Sequence, residues 1–328
     1  MQVYPLLMAP NFRHGEDTPW GGTMLRDLFL KDAPNGPVGE SLEVSALPGQ
    51  ESLVGNGVHA GKPLSRMAEL WGEALTGSAE ARFPLLLKLL DTESPLSVQV
   101  HPGGASGKSK AWVILNAEPG AKVVYGLTAP VDALRGAASE GRVEECLRWE
   151  NVRPGDVFYI PAGTVHALGG GIQCYEIEDS AEAAFRLWDW NRVNAAGEGR
   201  ELHVEQALDA IVDCPHAKQE GTTVLCKGGS RTYYISEPRF ELCRLNVSGR
   251  MPLESGRMRF LTPLAPCLLR WGDESLELEP FQTVLVPAAM EGLVVEGEVK
   301  LLMAGPSDRP ALIEALGYRA ENVAGLLD

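Results

Sequence analysis

The chain has 328 residues, 45% of them hydrophobic and 22% charged, and 44 acidic against 29 basic residues give it a formal net charge of −15. This length is sufficient for two domains of ordinary size, and the negative charge disfavours binding to the phosphate backbone of nucleic acids. Because the sequence has no apolar run near the roughly 18 residues of a membrane-spanning helix and no secretory pattern at its amino terminus, we expect a cytoplasmic protein without a membrane partner.

The cysteines are scattered and include no Cys-x-x-Cys pair, so the sequence does not support a zinc ribbon. They are Cys146, Cys174, Cys214, Cys226, Cys243 and Cys267. We expect reduced thiols rather than disulfides.

The first ninety residues predict a wrap, strands, one helix and one buried strand. Residues 1–36 contain few periodic segments, whereas residues 39–53 alternate as strands do. Apolar residues recur at helical spacing over residues 63–75. Residues 83–90 are apolar on both faces, and Lys88 within them is either a stem packed beneath solvent or a contact to an anionic ligand.

Two polar side chains of the next strand share one face. Branched apolar residues alternate with polar residues over 96–101, a period that is typical of a strand. Gln99 and His101 therefore project from the same face.

A histidine follows a tight turn. Residues 155–160 predict a strand that enters a turn at Pro161 and Gly163, after which His166 can point back toward the mouth of a barrel. An amide oxygen and two imidazoles are thus predicted to converge. The glycines at 169–171 indicate a place where a ligand approaches the backbone.

The remaining elements contain less chemistry. Residues 108–115 predict a strand, and residues 130–147 and 201–212 predict helices, the second with a surface or capping histidine, His203, near its start. Strands recur from about residue 231. Pro287 in this second half corresponds to Pro161, but Gly292 stands where a histidine would be needed, so we expect chemistry in the first half only. Residues 310–327 predict a terminal amphipathic helix.

Five ordered motifs resemble those of one enzyme family. The spacing Gly-x5-Pro-x-Gly-x2-His at 155–166 is the second motif of the cupin jelly roll, and Gln-x-His at 99–101 resembles the first motif of one branch of that superfamily. With three further segments, the chain from about Met8 to about Pro306 resembles type I mannose-6-phosphate isomerases of the short bacterial kind. Those segments are FPLLLKLL at 83–90, GES ahead of EVS at 39–45, and FRLWDWNR at 185–192.

The resemblance implies a mainly β fold of two cupin-like jelly-roll barrels, with a few helices packed on the first barrel. The predicted division is a catalytic domain at residues 1–230 and a second barrel without metal ligands at 231–306. A helical tail follows at 307–328.

The resemblance also implies one Zn²⁺ per chain, held through Gln, His, Glu and His. Gln99, His101 and His166 match three of these ligands, but Lys110 stands where the glutamate is expected, so the fourth protein ligand is missing. Three outcomes are open: water completes the site while Lys110 turns away, an acid such as Glu118 or Glu176 becomes the ligand, or the metal is lost. Two imidazoles and an amide are sufficient for a catalytic zinc with an open position.

By the same resemblance, Glu176 matches the proton-transfer residue, Arg186 the catalytic arginine and Lys108 a lysine at the substrate. Lys88 and Lys110 are further candidates for contacting the substrate. The family's Glu-Ile-Gln-Gln-Asn becomes Glu-Ile-Glu-Asp-Ser at 176–180. These two new acids, Glu178 and Asp179, are predicted to pair with Lys110.

The predicted activity is interconversion of mannose 6-phosphate and fructose 6-phosphate through an enediol, with a bound divalent metal and a sugar phosphate as the small-molecule partner. The alternative is a catalytically silent double cupin that binds a sugar phosphate. An iron-dependent oxygenase is disfavoured because it requires two histidines and a carboxylate on one face, and the carboxylate is missing here. The sequence leaves the oligomeric state open.

Overall fold

The computed structural model describes residues 3–79, 82–103, 107–181, 184–212 and 217–327. Two compact units follow from the contacts within the chain. The first comprises Met1–Asn11, Leu42–Lys88 and Gln219–Asp328, and the second comprises Phe12–Ser41 and Leu89–Lys218. The predicted division at residues 230 and 306 stays a prediction.

β-Strands predominate in the described residues, which confirms the mainly β class. The strands are β1 (Leu6–Ala9), β2 (Asn11–His14), β3 (Val38–Val44), β4 (Leu53–Val54), β5 (Leu85–Thr92), β6 (Val98–Val100), β7 (Lys110–Ala117), β8 (Lys122–Leu127), β9 (Leu147–Asn151), β10 (Val157–Ile160), β11 (His166–Leu168), β12 (Ile172–Asp179), β13 (Phe185–Trp188), β14 (Thr222–Cys226), β15 (Gly229–Ser236), β16 (Glu241–Pro252), β17 (Arg259–Pro263), β18 (Cys267–Trp271), β19 (Glu274–Leu278), β20 (Val284–Val286) and β21 (Val294–Gly305). The α-helices are α1 (Met24–Asp27), α2 (Leu64–Trp71), α3 (Glu73–Thr76), α4 (Val131–Ser139), α5 (Val204–Ala210) and α6 (Arg309–Leu316). None of these helices is both long and apolar enough to cross a membrane.

All four predicted helices are shorter than their apolar periodicity indicates. The one predicted over residues 130–147 is replaced after α4 by a 3₁₀ turn over Val143–Cys146 and by the start of β9, and the one predicted over residues 201–212 is reduced to α5. The helix predicted over residues 63–75 divides into α2 and α3 at Gly72, whose φ is +48°. The terminal helix α6 ends before Gly317, whose φ is +57°, and a 3₁₀ turn follows over Gly317–Asn322. A positive φ interrupts helical geometry and is tolerated best by glycine.

Two sheets contain the strands of the second unit, and strands such as β3 and β5 continue into residues of the first unit. One has the order β10-β7-β12-β5-β3-β2, and the other has the order β13-β6-β11-β8-β9. Their facing sides share one hydrophobic core, which includes Trp112 and Ile114 of β7, Cys174 of β12, Tyr125 of β8 and Leu168 of β11. Burial of this apolar surface, at roughly 25 cal/mol per Å², is what holds the two sheets together.

Helices cover the outer face of the five-stranded sheet. Its outward side chains, such as Val98 and Ala167, pack with Leu134 of α4 and with Ala207 and Leu208 of α5. The expectation that helices pack on this part of the chain is confirmed.

The first unit contains a ten-stranded sheet in which β14-β15-β16-β21-β17-β20-β1-β4 are neighbours, with β18 and β19 attached through β21. Its strands enclose a separate core that includes Leu245, Leu261 and Met303. Two jelly-roll barrels in detail stay a prediction. The cysteines at 146, 174, 226, 243 and 267 are free thiols, while Cys214 lies outside the described residues.

Candidate active site

The Pro-x-Gly turn places His166 beside the end of β6. After β10 the chain turns at Gly163, whose φ of +89° suits glycine, and the Gly163 amide donates a hydrogen bond to the His101 carbonyl at 2.7 Å. β11 then begins at His166. A side chain at position 163 would meet Val212 at 2.8 Å, so both the conformation and the space require glycine.

One row of side chains crosses the five-stranded sheet. His166 of β11 lies opposite Gln99 of β6, and Gln99 lies opposite Arg186 of β13. Directly opposed residues of antiparallel strands project from the same face, and His101, two residues after Gln99, shares that face. The structure therefore brings all four predicted residues to the side of the sheet that faces the interior.

Both imidazoles are buried, neutral and adjacent. Their ring centroids are 5.0 Å apart with an interplanar angle of 28°. Burial, with the nearby Lys110 ammonium as a further cause, lowers the pKa of His166 to about 3 and lowers the pKa of His101 well below its usual value. A neutral imidazole is the form that binds a metal.

Hydrogen bonds orient two of the donors. His166 Nδ1 lies 2.8 Å from the Thr164 carbonyl, and because a carbonyl only accepts, Nδ1 bears the proton and Nε2 presents its lone pair. The Gln99 amide nitrogen donates to Ser97 Oγ at 2.9 Å, which leaves the amide oxygen as its ligand atom. This donor set of two histidines and one glutamine fits a divalent metal with three protein ligands. Among the described residues, no group of three or more His, Cys, Asp or Glu side chains is placed so that it could hold a metal ion.

Four buried charged residues form a network on the opposite sheet. Lys110 Nζ lies 3.1 Å from Glu176 Oε2 and 3.0 Å from Glu178 Oε2, and Lys108 Nζ lies 2.9 Å from Glu178 Oε1. None of the four side chains is more than 8% exposed. Two positive and two negative charges thus offset each other away from water, where unpaired charges would be costly.

The network bears on two of the outcomes left open for position 110, while retention of the metal stays a prediction. The predicted pairing with Glu178 is confirmed, and Lys110 does not turn away to solvent. Glu118 is exposed, and Glu176 is engaged by Lys110 and by Trp112, whose Nε1 donates to Glu176 Oε2 at 2.7 Å. In this arrangement neither acid replaces the missing ligand.

Trp112 contacts both His166 and Glu176, a role that was not predicted from the sequence. Its ring meets the His166 ring edge-on with centroids 5.6 Å apart, and its Nε1 orients the Glu176 carboxylate. Trp112 lies directly opposite Glu176 in the β7–β12 pair, and this position would have predicted the contact. It can be recognised only once the register of the two strands is known.

Substitution of Trp112 by phenylalanine should reduce the free energy of unfolding by about 1.5–3 kcal/mol beyond the loss from packing, because a hydrogen bond to a buried charged group is removed. Urea denaturation measures this loss. Trp188→Phe is the matched control, since Trp188 is also buried and its Nε1 has no hydrogen-bond partner in the described part of the chain. Equal losses in the two variants would contradict the role of the hydrogen bond.

Arg186 is half-buried and held by the segment before α5. Its Nη1 donates to the Glu201 carbonyl at 2.7 Å, and its backbone amide donates to His203 Nδ1 at 3.2 Å. Burial, then the neighbouring Arg200, lowers the pKa of Arg186, yet a guanidinium stays charged at neutral pH. His203 occupies the amino-terminal cap position of α5, in agreement with the structural role predicted for it.

The structure does not bring Lys88 or the glycines after His166 into the group of residues described above. Lys88 is half-buried on β5 and belongs to the first unit, so its substrate contact stays a prediction. The glycines after His166 serve backbone packing rather than ligand access: a side chain at Gly169 would lie 2.1 Å from the Lys122 carbonyl, and one at Gly170 would lie 2.9 Å from the Glu93 carbonyl.

Comparisons with known proteins identify the family of this chain. A family profile described as phosphomannose isomerase type I, catalytic domain, matches residues 13–120. Over 303 residues the chain is 31% identical to the mannose-6-phosphate isomerase of Streptococcus mutans, spanning 86% of this chain and 93% of that protein. The chain belongs to the type I mannose-6-phosphate isomerase family. Another family member, mannose-6-phosphate isomerase ManA of Bacillus subtilis, is 38% identical over 224 residues, 64% of this chain and 69% of its own.

Solved isomerase structures share the fold. The crystal structure of the mannose 6-phosphate isomerase from Bacillus subtilis has a TM-score of 0.85 and 29% identity, covering 92% of this chain and 99% of its own. A zinc-bound mannose 6-phosphate isomerase has a TM-score of 0.73 over 93% of this chain and 100% of its own. Because that protein is only 14% identical, its likeness concerns the fold.

Proposed function

We propose that this isomerase interconverts mannose 6-phosphate and fructose 6-phosphate, with Glu176, Arg186 and Lys108 acting on the sugar phosphate. The proposal rests mainly on one observation: the row of Arg186, Gln99 and His166 lies on the interior face of its sheet, and the Trp112 ring connects His166 with Glu176 across the core. Family membership supports the same activity.

The reaction moves a proton between adjacent carbons while the carbonyl changes place. In this proposal the Glu176 carboxylate takes the proton from one carbon and returns it to the next, since Lys110 and Trp112 both contact its Oε2 and fix its orientation. Arg186 supplies a permanent cation for the negative charge that develops on the substrate oxygens. Lys108, held at Glu178, adds positive charge for the phosphate.

We also propose that Gln99, His101 and His166 hold one Zn²⁺. When bound, such an ion polarises the carbonyl and hydroxyl oxygens of the substrate without redox chemistry. The support consists of the neutral imidazoles, the proton on His166 Nδ1 and the likeness to the family. No nicotinamide or flavin is required for this reaction.

The decisive experiment compares the purified protein with and without its metal. Conversion of mannose 6-phosphate should be abolished by a chelator and restored by about one equivalent of zinc per chain, as measured by a coupled fructose 6-phosphate assay and by metal analysis. A folded protein that binds the sugar phosphate and has no turnover at any zinc concentration would instead be the silent double cupin.

A further inference from the structure

One pair of opposite charges in the buried network is matched across two neighbouring strands. Glu178 lies directly opposite Lys110 in the β7–β12 pair, and Glu176 lies opposite Trp112. Glu178 therefore touches Lys108 with one oxygen and Lys110 with the other. A change of charge at position 110 therefore changes the electrostatic environment of Glu178, which is 0% exposed. Charges interact strongly at such a buried position because bulk solvent does not screen them.

Position 110 is also close enough to the imidazoles to affect the candidate metal site. Lys110 and Trp112 are two residues apart on β7 and project from the same face, and the Trp112 ring contacts the His166 ring. A carboxylate at position 110 would thus face the metal donors of the other sheet. An ammonium there is compatible with a divalent cation only because Glu176 and Glu178 offset its charge.

We propose that Lys110 and Glu178 form one coupled unit that replaces a carboxylate metal ligand, so that this chain holds its metal with three neutral donors. A carboxylate at position 110 is then tolerated, and binds metal, only when the negative charge at position 178 is removed at the same time. This inference rests on the metal site of the proposed function. Its first part, the coupling of the two charges, is measured without metal.

Each single substitution should unbalance the network. Lys110→Glu places a third carboxylate beside Glu176 and Glu178 with Lys108 as the remaining cation of the network, and like charges in a buried site repel strongly. Glu178→Gln leaves two lysines, Lys108 and Lys110, with a single carboxylate, Glu176, so that the buried network has a net positive charge. The double variant Lys110→Glu/Glu178→Gln leaves one lysine and two carboxylates in the network, and a bound divalent cation would offset the second carboxylate.

The test uses the full chain and measures melting temperature in chelator and zinc affinity by calorimetry. In chelator, Lys110→Glu should melt at least about 5 °C below the wild type, and adding Glu178→Gln should recover most of that loss. In zinc, the double variant should bind at least about tenfold more tightly than the wild type, since a charged carboxylate ligand is gained. The control Lys110→Gln/Glu178→Gln keeps the network neutral, with Lys108 and Glu176, but has no carboxylate at position 110, and it should bind zinc as the wild type does.

Three results would overturn the inference. They are a Lys110→Glu variant as stable as the wild type in chelator, a second substitution that recovers no stability, and a folded double variant whose zinc affinity equals that of the Gln/Gln control. The wild-type measurements separate this inference from the proposed function. A wild type that binds no zinc removes the metal site, whereas one that binds zinc and converts substrate keeps the proposed function even if the coupling fails.

Discussion

Replacing Glu176 with glutamine should lower kcat for mannose 6-phosphate by on the order of 10²–10⁴, the usual contribution of a general base. Glutamine has nearly the shape of glutamate and its amide oxygen still accepts from Trp112 Nε1, which lies 2.7 Å from the present carboxylate. It cannot take a proton. Steady-state kinetics measure the loss, and exchange of the substrate carbon-bound hydrogen with deuterated water, followed by NMR, tests the proton-transfer step directly.

Glu178→Gln is the matched control for this variant. It removes the same charge from the same strand and from the same lysine, Lys110, which lies 3.0 Å from Glu178 and 3.1 Å from Glu176. We expect deuterium exchange to be retained, so that its loss in kcat reflects only the disturbed charge balance around Lys108 and Lys110. Equal losses in the two variants would mean that the charge balance of the network, rather than proton transfer by Glu176, limits turnover.

Local sequence signals were sufficient to predict that Gln99, His101 and His166 come together. The alternation around Gln99 and the spacing from Pro161 to His166 each specify a strand or a turn over a few residues, and the structure places these segments side by side. Such signals work because side-chain direction in a strand has period two and because a glycine turn has few alternatives.

The partners of Trp112 depend on a feature that the sequence does not display. The register between β7 and β12 shifts between Gln173 and Cys174, where one extra residue of β7 is inserted. Without this bulge, Glu178 would lie opposite Ala111 and Glu176 opposite Val113. A single-residue slip changes every cross-strand partner, so the hydrogen bond from Trp112 could not be predicted by local reasoning.

Helix ends show the same limit of local patterns. The apolar spacing over residues 63–75 fits one helix, but the backbone at Gly72 adopts a positive φ and divides it. Propensity alone disfavours glycine in a helix by only about 1 kcal/mol, an amount that tertiary contacts outweigh in either direction.

Replacing His166 with alanine should abolish zinc binding and turnover together. Three protein donors are proposed, and His166 is the one whose tautomer is fixed by a backbone carbonyl, at 2.8 Å from Thr164. Loss of one such ligand should weaken zinc binding by at least about a hundredfold, since loss of a second-shell partner alone costs roughly 10–100-fold. Calorimetry and metal analysis measure the affinity and stoichiometry, and circular dichroism checks that the sheets remain.

The cavity left by this substitution permits a sharper test. His166 is 3% exposed, and its ring packs between the rings of His101 and Trp112, so free imidazole has a place of its own size to occupy. Millimolar imidazole should therefore restore part of the zinc binding and part of the turnover in His166→Ala. The control His14→Ala removes an exposed imidazole and should bind zinc normally with no response to added imidazole. Normal zinc affinity in His166→Ala would place the metal elsewhere, because a site that includes His166 cannot lose this ligand without weakening.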